Sequence, residues 1–325
     1  MEQEASFEGI LPEQGGPSAE EIVGIYHGRL LKGQEPTVSC MKMSDLGANC
    51  PIGIFTGGVR HRDFEVEDID FSIEMELLEE KEKRRLFPPA FVTAVLARCL
   101  KRIGGIDFTS MDKPTKEQFI AEMYMADVLY IYAVLRRLTM GPDSFSKVKC
   151  PNCGIPVEFG WSLDDLDVYV LDLLPTNFCW LMDLHKPILI DTVEGIKSVN
   201  GLWIAPTRWG SMMTLLGGIT TAVRTKMLVK SHIVSAEPPI MVKNVQIVIR
   251  DEHLMAPKVG LSKVDYEEMS ASLDYNSPGL RLIVKGKCTG AMGQMGCGWE
   301  VAEEVDWRYD AFFKRSRPSR ARKTI

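Results

Sequence analysis

Four cysteines constrain this chain more than anything else in it. Cys150-Pro151-Asn152-Cys153-Gly154 sets two thiols two residues apart, a spacing that lets one backbone turn grip a single zinc ion. The glycine after the second cysteine frees the backbone to turn so that N–H groups face the sulfurs. One such pair is half of a tetrahedral site, and Cys288 and Cys297 are the candidates for the other half. The flanking sequences resemble each other. Val148, Lys149, Cys150, Cys153-Gly154 and Val157-Glu158 lead to Trp161 and to Asp164, Asp165 and Asp167. Gly286, Lys287, Cys288, Cys297-Gly298 and Trp299-Glu300 lead to Glu303, Glu304, Asp306 and Trp307. Each half reads as a strand entering a knuckle and a strand leaving it, as in a zinc ribbon. Cys288 follows Cys153 by 135 residues, so a shared zinc would clamp distant parts of the chain together. Four protein ligands leave no open position for a catalytic water, which makes the expected site structural. The eight residues between Cys288 and Cys297 exceed the usual two to four, and vestigial or redox thiols are the alternative. A redox Cys-x-x-Cys opens a helix after a strand, whereas Lys149 before the pair and Gly154 after it favour a knuckle.

Composition bears on this reading through redox state. Eight cysteines in 325 residues are too sparse for a disulfide scaffold. The first thirty residues are acidic and hold Pro12, Gly15, Gly16 and Pro17, unlike an export signal, so reduced thiols in a soluble, intracellular chain are expected. The best apolar run, 128–135, ends at Arg136 and Arg137, too soon to span a membrane. Cys40, Cys50, Cys99 and Cys179 have no ligand spacing and are expected to be small buried residues. A net charge of −6 offers no general attraction to nucleic acid or an acidic membrane.

The expected fold class is α+β, mainly helical, with short strands and two zinc-ribbon-like knuckle hairpins. Residues 1–50 read as an extended arm, 51–148 as a helical region and 181–280 as a second mixed α/β region. The knuckles occupy 149–180 and 281–313, joined by a metal, and 314–325 form a basic tail with six positive charges. Residues 52–64 suggest a hairpin turning at Gly57-Gly58. Three helical patterns follow: an amphipathic one over 66–86, one from Pro88 to the stop at Gly104-Gly105, and one from a capping box at 115–118 to Gly141-Pro142. Further along, 188–204 alternates as strands do, 211–235 reads as one long buried helix, 242–249 as a strand, and 262–273 as a helix with Val264 and Met269 inward. Residues 280–284 then read as a strand leading into the second cysteine pair.

No phosphate-binding loop, dinucleotide fingerprint or nucleophile elbow occurs. The five histidines fall singly. His61, between Arg60 and Arg62, reads as part of a solvated turn, and Asp251-Glu252-His253 lacks a nucleophile. The chain is therefore read as not an enzyme, and its seventeen methionines as core filling or adaptable contact surface.

The order of features resembles a known family. An early Gly-Gly segment precedes an acidic helix, then Thr93-Ala94-Val95-Leu96, Arg102-Ile103-Gly104-Gly105, and a Leu-rich helix ending Arg136-Arg137-Leu138-Thr139-Met140-Gly141. The Cys150–Gly154 knuckle and an acidic Leu-rich stretch over 163–168 follow. This resembles the baseplate hub assembly chaperones of contractile-tailed, T-even-type phages and related injection systems; the likeness covers about 52–170 well and 180–280 thinly, and its most specific part is the helix ending Arg136-Arg137 and Gly141 followed by Cys150-Pro151-Asn152-Cys153-Gly154. The stretch from Cys297-Gly298-Trp299 to Phe312-Phe313 is similar to the family's C-terminal end, whereas the Cys288–Cys297 spacing departs from the expected close pair. The resemblance implies a non-enzymatic hub assembly chaperone or structural baseplate subunit whose partners are other tail or baseplate proteins. It implies no small-molecule substrate, and a location in the host cytoplasm during assembly, with retention in the virion tail left open. The other class is a zinc-ribbon protein that binds nucleic acid, supported by the knuckle and the basic tail.

Overall fold

The computed structural model describes residues 38–56, 59–172, 179–215, 231–243, 245–246, 248–276, 278–289, 295–308 and 312–313. In chain order the first elements are β1 (Val38–Lys42), α1 (Met43–Leu46), β2 (Asn49–Thr56), β3 (Val59–Val66), α2 (Phe71–Arg84), α3 (Pro88–Cys99), β4 (Leu100–Ile103), β5 (Ile106–Asp107), α4 (Lys113–Glu122) and α5 (Met125–Met140). Next come β6 (Asp143–Lys149), β7 (Pro156–Ser162), β8 (Asp167–Leu171), β9 (Trp180–Thr192), β10 (Gly195–Ile204), α6 (Trp209–Leu215), β11 (Ile233–Glu237), β12 (Met241–Val242) and β13 (Val245–Gln246). The last are α7 (Asp251–Leu254), α8 (Lys263–Asn276), β14 (Gly279–Leu280), β15 (Ile283–Lys287) and β16 (Glu300–Glu304).

The expectation of a mainly helical chain is corrected. Among the described residues strand reaches 39% against 34% helix, in several small antiparallel sheets. Four strands pair in the order β2-β3-β4-β5, three as β1-β8-β14 and three as β11-β10-β9, while β6-β7 and β15-β16 are separate hairpins. Two helical readings absorbed strands. The pattern running from Pro88 to Gly104 is helical only to Cys99; Leu100–Ile103 turns out as β4, with Arg102 facing Glu65 across the sheet. Leu100 and Ile103 are both buried, so a three-residue spacing of apolar side chains fitted either state. The reading of one helix after Gln118 fails for a tertiary reason. Met123 N-terminal to α5 takes an extended backbone, because Met125 N–H donates to the Thr207 carbonyl and Trp209 N–H donates to that of Met123. A bridge from Tyr124 to Arg208 completes this pairing.

Caps fix the helix starts. Asp70 accepts a hydrogen bond from the Ile73 N–H at 2.8 Å to open α2, and Asp112 does the same for Thr115 at 3.1 Å to open α4. The α4 cap is therefore Asp112, three residues before the expected one. The main core gathers α2 to α5 and the β2–β5 sheet around side chains such as Phe91, Val95, Leu96, Ile103, Phe108, Ile131 and Leu135. Each such side chain buried contributes about 1.5–3 kcal/mol.

Two polar ties cross this core. Asp127, on the first turn of α5, accepts from Ile52 N–H at 2.7 Å and Gly53 N–H at 2.9 Å, which pins β2 to the helix. Burial pushes its carboxyl up to about 6, against the pull of those two N–H donors and of Arg60 and Arg62. Arg136 donates to the carbonyls of Phe312, Gly141 and Asp143. With Tyr132 stacked on Phe312 at 5.5 Å, it docks the C-terminal Phe312-Phe313 pair on α5.

A second core lies between the β9–β11 sheet and α7 and α8, built from Met182, Ile188, Ile190, Val199, Leu202, Leu254 and Met269. The strands expected over 188–204 are β9 and β10. Met269 points inward as expected, whereas Val264 is exposed. The expected strand over 242–249 is a pair of two-residue strands, β12 and β13. The expected helix over 211–235 begins as α6 but ends in β11; residues 216–230 lie outside the described residues, as do the basic tail and residues 1–37. Residues 38–50, assigned to the arm, carry β1, α1 and the start of β2 and bury Met43, Leu46 and Cys50. No described helix is long and apolar enough to cross a membrane.

Candidate metal centre

The first cysteine pair sits at the turn of the β6–β7 hairpin, the second at the turn of the β15–β16 hairpin. The two turns repeat the same backbone connections. Cys150 N–H donates to the Ile155 carbonyl and Gly154 N–H to that of Cys150, each at 2.9 Å. In the other turn Cys288 N–H donates to the Trp299 carbonyl at 2.9 Å and Gly298 N–H to that of Cys288 at 3.0 Å. Gly154 and Gly298 hold the left-handed backbone with φ of 73° and 71°, which a side chain would resist. The longer second turn keeps this geometry because Gly296 N–H returns to the Thr289 carbonyl at 3.3 Å. Structural equivalence pairs Ile155 with Trp299 and Val157 with Val301, two residues away from the match of Val157 to Trp299 that the sequence suggests.

The two hairpins pack together. Cys150, Val157, Cys288 and Val301 form one buried cluster, with Val148 and Phe159 against it. Gly286 in β15 allows this approach: a Cβ there would lie 2.5 Å from a ring carbon of Phe159. The packing brings together all four cysteines singled out in the sequence. Cys150 Sγ lies 3.6 Å from Cys297 Sγ, and Cys153 Sγ lies 3.6 Å from Cys288 Sγ. All four sulfurs lie within 4.8 Å of one another. A tetrahedral ion with metal–sulfur bonds of about 2.3 Å separates its ligand sulfurs by about 3.8 Å, so this set could hold a metal ion with small adjustments. Cys150 and Cys288 are buried; Cys153 and Cys297 are exposed.

The sulfurs are electrostatically unequal. The Asn152 side chain, and then the Trp299 N–H, pull the Cys297 thiol down to about 6. The Ile155 N–H pulls Cys153 the same way, but burial and the neighbouring sulfurs outweigh it and carry that thiol up to about 11. Four sulfurs this close cannot all ionise by themselves, and a divalent cation would supply the missing positive charge.

Of the remaining cysteines, Cys50, Cys99 and Cys179 are buried as expected and Cys40 is exposed. Burial pushes Cys99 and Cys179 up to about 12, so they are inert thiols. His61 lies in β3, not in a turn, and its ring root packs where a Cβ on Gly104 would otherwise stand. His253 keeps local company, accepting from the Arg250 N–H at 3.2 Å through Nδ1.

One cluster escapes sequence reading. His185 in β9 meets Asp265 and Glu268 of α8, 80 residues on. Asp265 is fully buried. Its burial would raise the carboxyl, but hydrogen bonds from Ser262 and His185 hold it below the ordinary carboxylate value. Asp265 and Glu268 share one face of α8, three residues apart, and only β9–α8 packing brings His185 to them.

No protein-family model, curated protein or solved structure matches this chain.

Proposed function

We propose that this chain is a non-enzymatic protein of a contractile phage tail baseplate, a hub assembly chaperone or a structural subunit, acting through protein–protein contacts and braced by one structural zinc ion. The closed sulfur site carries the reading. Four thiols converge from two hairpins, which leaves a bound zinc no position for a substrate or a reactive water. Its effect is mechanical: it locks the β15–β16 hairpin to the β6–β7 hairpin across more than a hundred residues of chain. The baseplate setting rests on the resemblance of the 93–105, 136–141 and 150–154 segments. Exposed apolar side chains such as Phe71, Val193, Ile196 and Val248 supply contact surface of the kind such a role needs.

The test is gentle purification of the tagged chain from its native cells, with mass spectrometry of what accompanies it. Tail or baseplate subunits should come with it at defined ratio. Recovery of nucleic acid alone, or of nothing, would remove the assembly reading. Nucleic-acid binding has one observation in its favour, the half-exposed ring of Trp299 beside Cys297, a face on which a base could stack. That reading requires oligonucleotide affinity that falls steeply with salt.

A further inference from the structure

We propose that His185, Asp265 and Glu268 form a second metal site, separate from the cysteines, for a borderline divalent transition cation such as zinc, cobalt or nickel. His185 Nδ1 lies 3.2 Å from Asp265 Oδ1 and 3.1 Å from Glu268 Oε2, and the three ligand atoms all lie within 4.8 Å of one another. A cation with bonds of about 2.1 Å to nitrogen and oxygen separates neighbouring ligands by about 2.9 Å in an octahedron and about 3.4 Å in a tetrahedron. Both nitrogen–oxygen edges already fall in that range. The remaining edge closes by rotation of Glu268, whose side chain is 52% exposed and can move.

The anchor is preorganised. Asp265 is held at the start of α8 by Ser262, which donates to its Oδ2 at 2.5 Å and in turn accepts from the Asp265 N–H at 3.1 Å. Oδ1 takes the His185 backbone N–H at 2.7 Å and faces the His185 Nδ1 at 3.2 Å; a cation between the two would take over that second acceptor position, with Nδ1 turning from donor to ligand. Asp265 is fully buried while His185 is 61% exposed, so the outer side of the trio opens to solvent and leaves positions for water. One imidazole with two carboxylates suits zinc, cobalt or nickel; magnesium and calcium prefer all-oxygen shells. Such an ion would tie β9 to α8 and brace the second core, as the cysteines brace the two hairpins.

Cobalt titration of the metal-free full chain tests this, because the two sites have different spectra. Sulfur ligands give cobalt an intense near-ultraviolet charge-transfer band, and the His-carboxylate trio gives none. The expected result is two equivalents bound, one with the charge-transfer band and one without. His185→Gln and Glu268→Gln should each weaken the second equivalent at least tenfold and leave the charge-transfer band intact, which also reports that the variant is folded. A single equivalent in the wild-type chain, or two equally tight equivalents in both variants, would overturn the proposal and leave the trio as an ion pair.

Discussion

In a Glu268→Gln background, which leaves the cysteines as the metal site, metal removal should cost this protein a specific amount of stability, and only through four residues. If the cysteines bind zinc a thousandfold more tightly than the free concentration present, linkage gives about 4 kcal/mol of stabilisation. Isolated zinc-finger peptides gain more, about 10–16 kcal/mol, since nothing else folds them. Here Val148, Val157, Phe159 and Val301 pack the hairpins together, and Val305 N–H donates to the Leu282 carbonyl at 2.7 Å. Partial order should therefore survive without metal. At about 1.5 °C per kcal/mol, the shift expected for a chain of 325 residues, a strong chelator should lower Tm by about 6 °C. Cys288→Ser added to that background should start at the lower Tm and lose its response to chelator. Cys40→Ser, at an exposed side chain of β1, should behave as its parent protein in both conditions. Differential scanning calorimetry with and without chelator reads all three. An unchanged Tm of the parent protein on chelation, or a Cys288→Ser variant that still responds, would refute the reasoning.

Other perturbations follow from the same contacts. Gly286→Val should force Phe159 out of its place between the hairpins and destabilise by about 1–3 kcal/mol, measured by urea unfolding; no change would mean the hairpins do not pack this closely. Asp127 has a folded pKa of about 6, above the unfolded value of about 3.9, so its contribution is largest at low pH and is lost as pH rises through 6. The gap between the folded and unfolded values corresponds to about 3 kcal/mol. Asp127→Asn should therefore gain on wild type between pH 4 and 7, and a pH-independent difference would contradict this origin. Arg136→Met keeps the apolar stem but removes the donor from the buried Phe312 carbonyl, at about 1–3 kcal/mol, and from the part-buried Gly141 and Asp143 carbonyls, which water can reach. The variant should expose the C-terminal segment to limited proteolysis, and wild-type resistance would show that the docking does not depend on the guanidinium.

Local patterns reveal the two glycine-linked strands at 52–64, the amphipathic helix α2 and the Pro88 helix start, because there period and cap act within one turn of chain. They reveal the cysteine set because the Cys–Gly knuckle is a local solution to holding sulfurs. What they miss is non-local. The break at Met123 exists because Thr207 and Trp209 arrive to pair with it. Strand content is hard to read because hairpins such as β6–β7 alternate only weakly: Ser146 is buried and Phe145 is exposed. Likewise Trp299 looks equivalent to Val157 when residue types are matched, because Glu follows each, until backbone hydrogen bonds set the register at Ile155. In the His185 cluster, Asp265 and Glu268 share one face of α8 by their three-residue spacing, but nothing local shows that His185 joins them across the second core.

X-ray absorption at the zinc edge tests the central claim most directly, on full-length Glu268→Gln protein carrying one zinc, so that the cysteine site alone is read. The account predicts a single shell of four sulfurs at about 2.3 Å. A shell of mixed nitrogen and oxygen ligands, or failure of the folded chain to retain zinc, would contradict it.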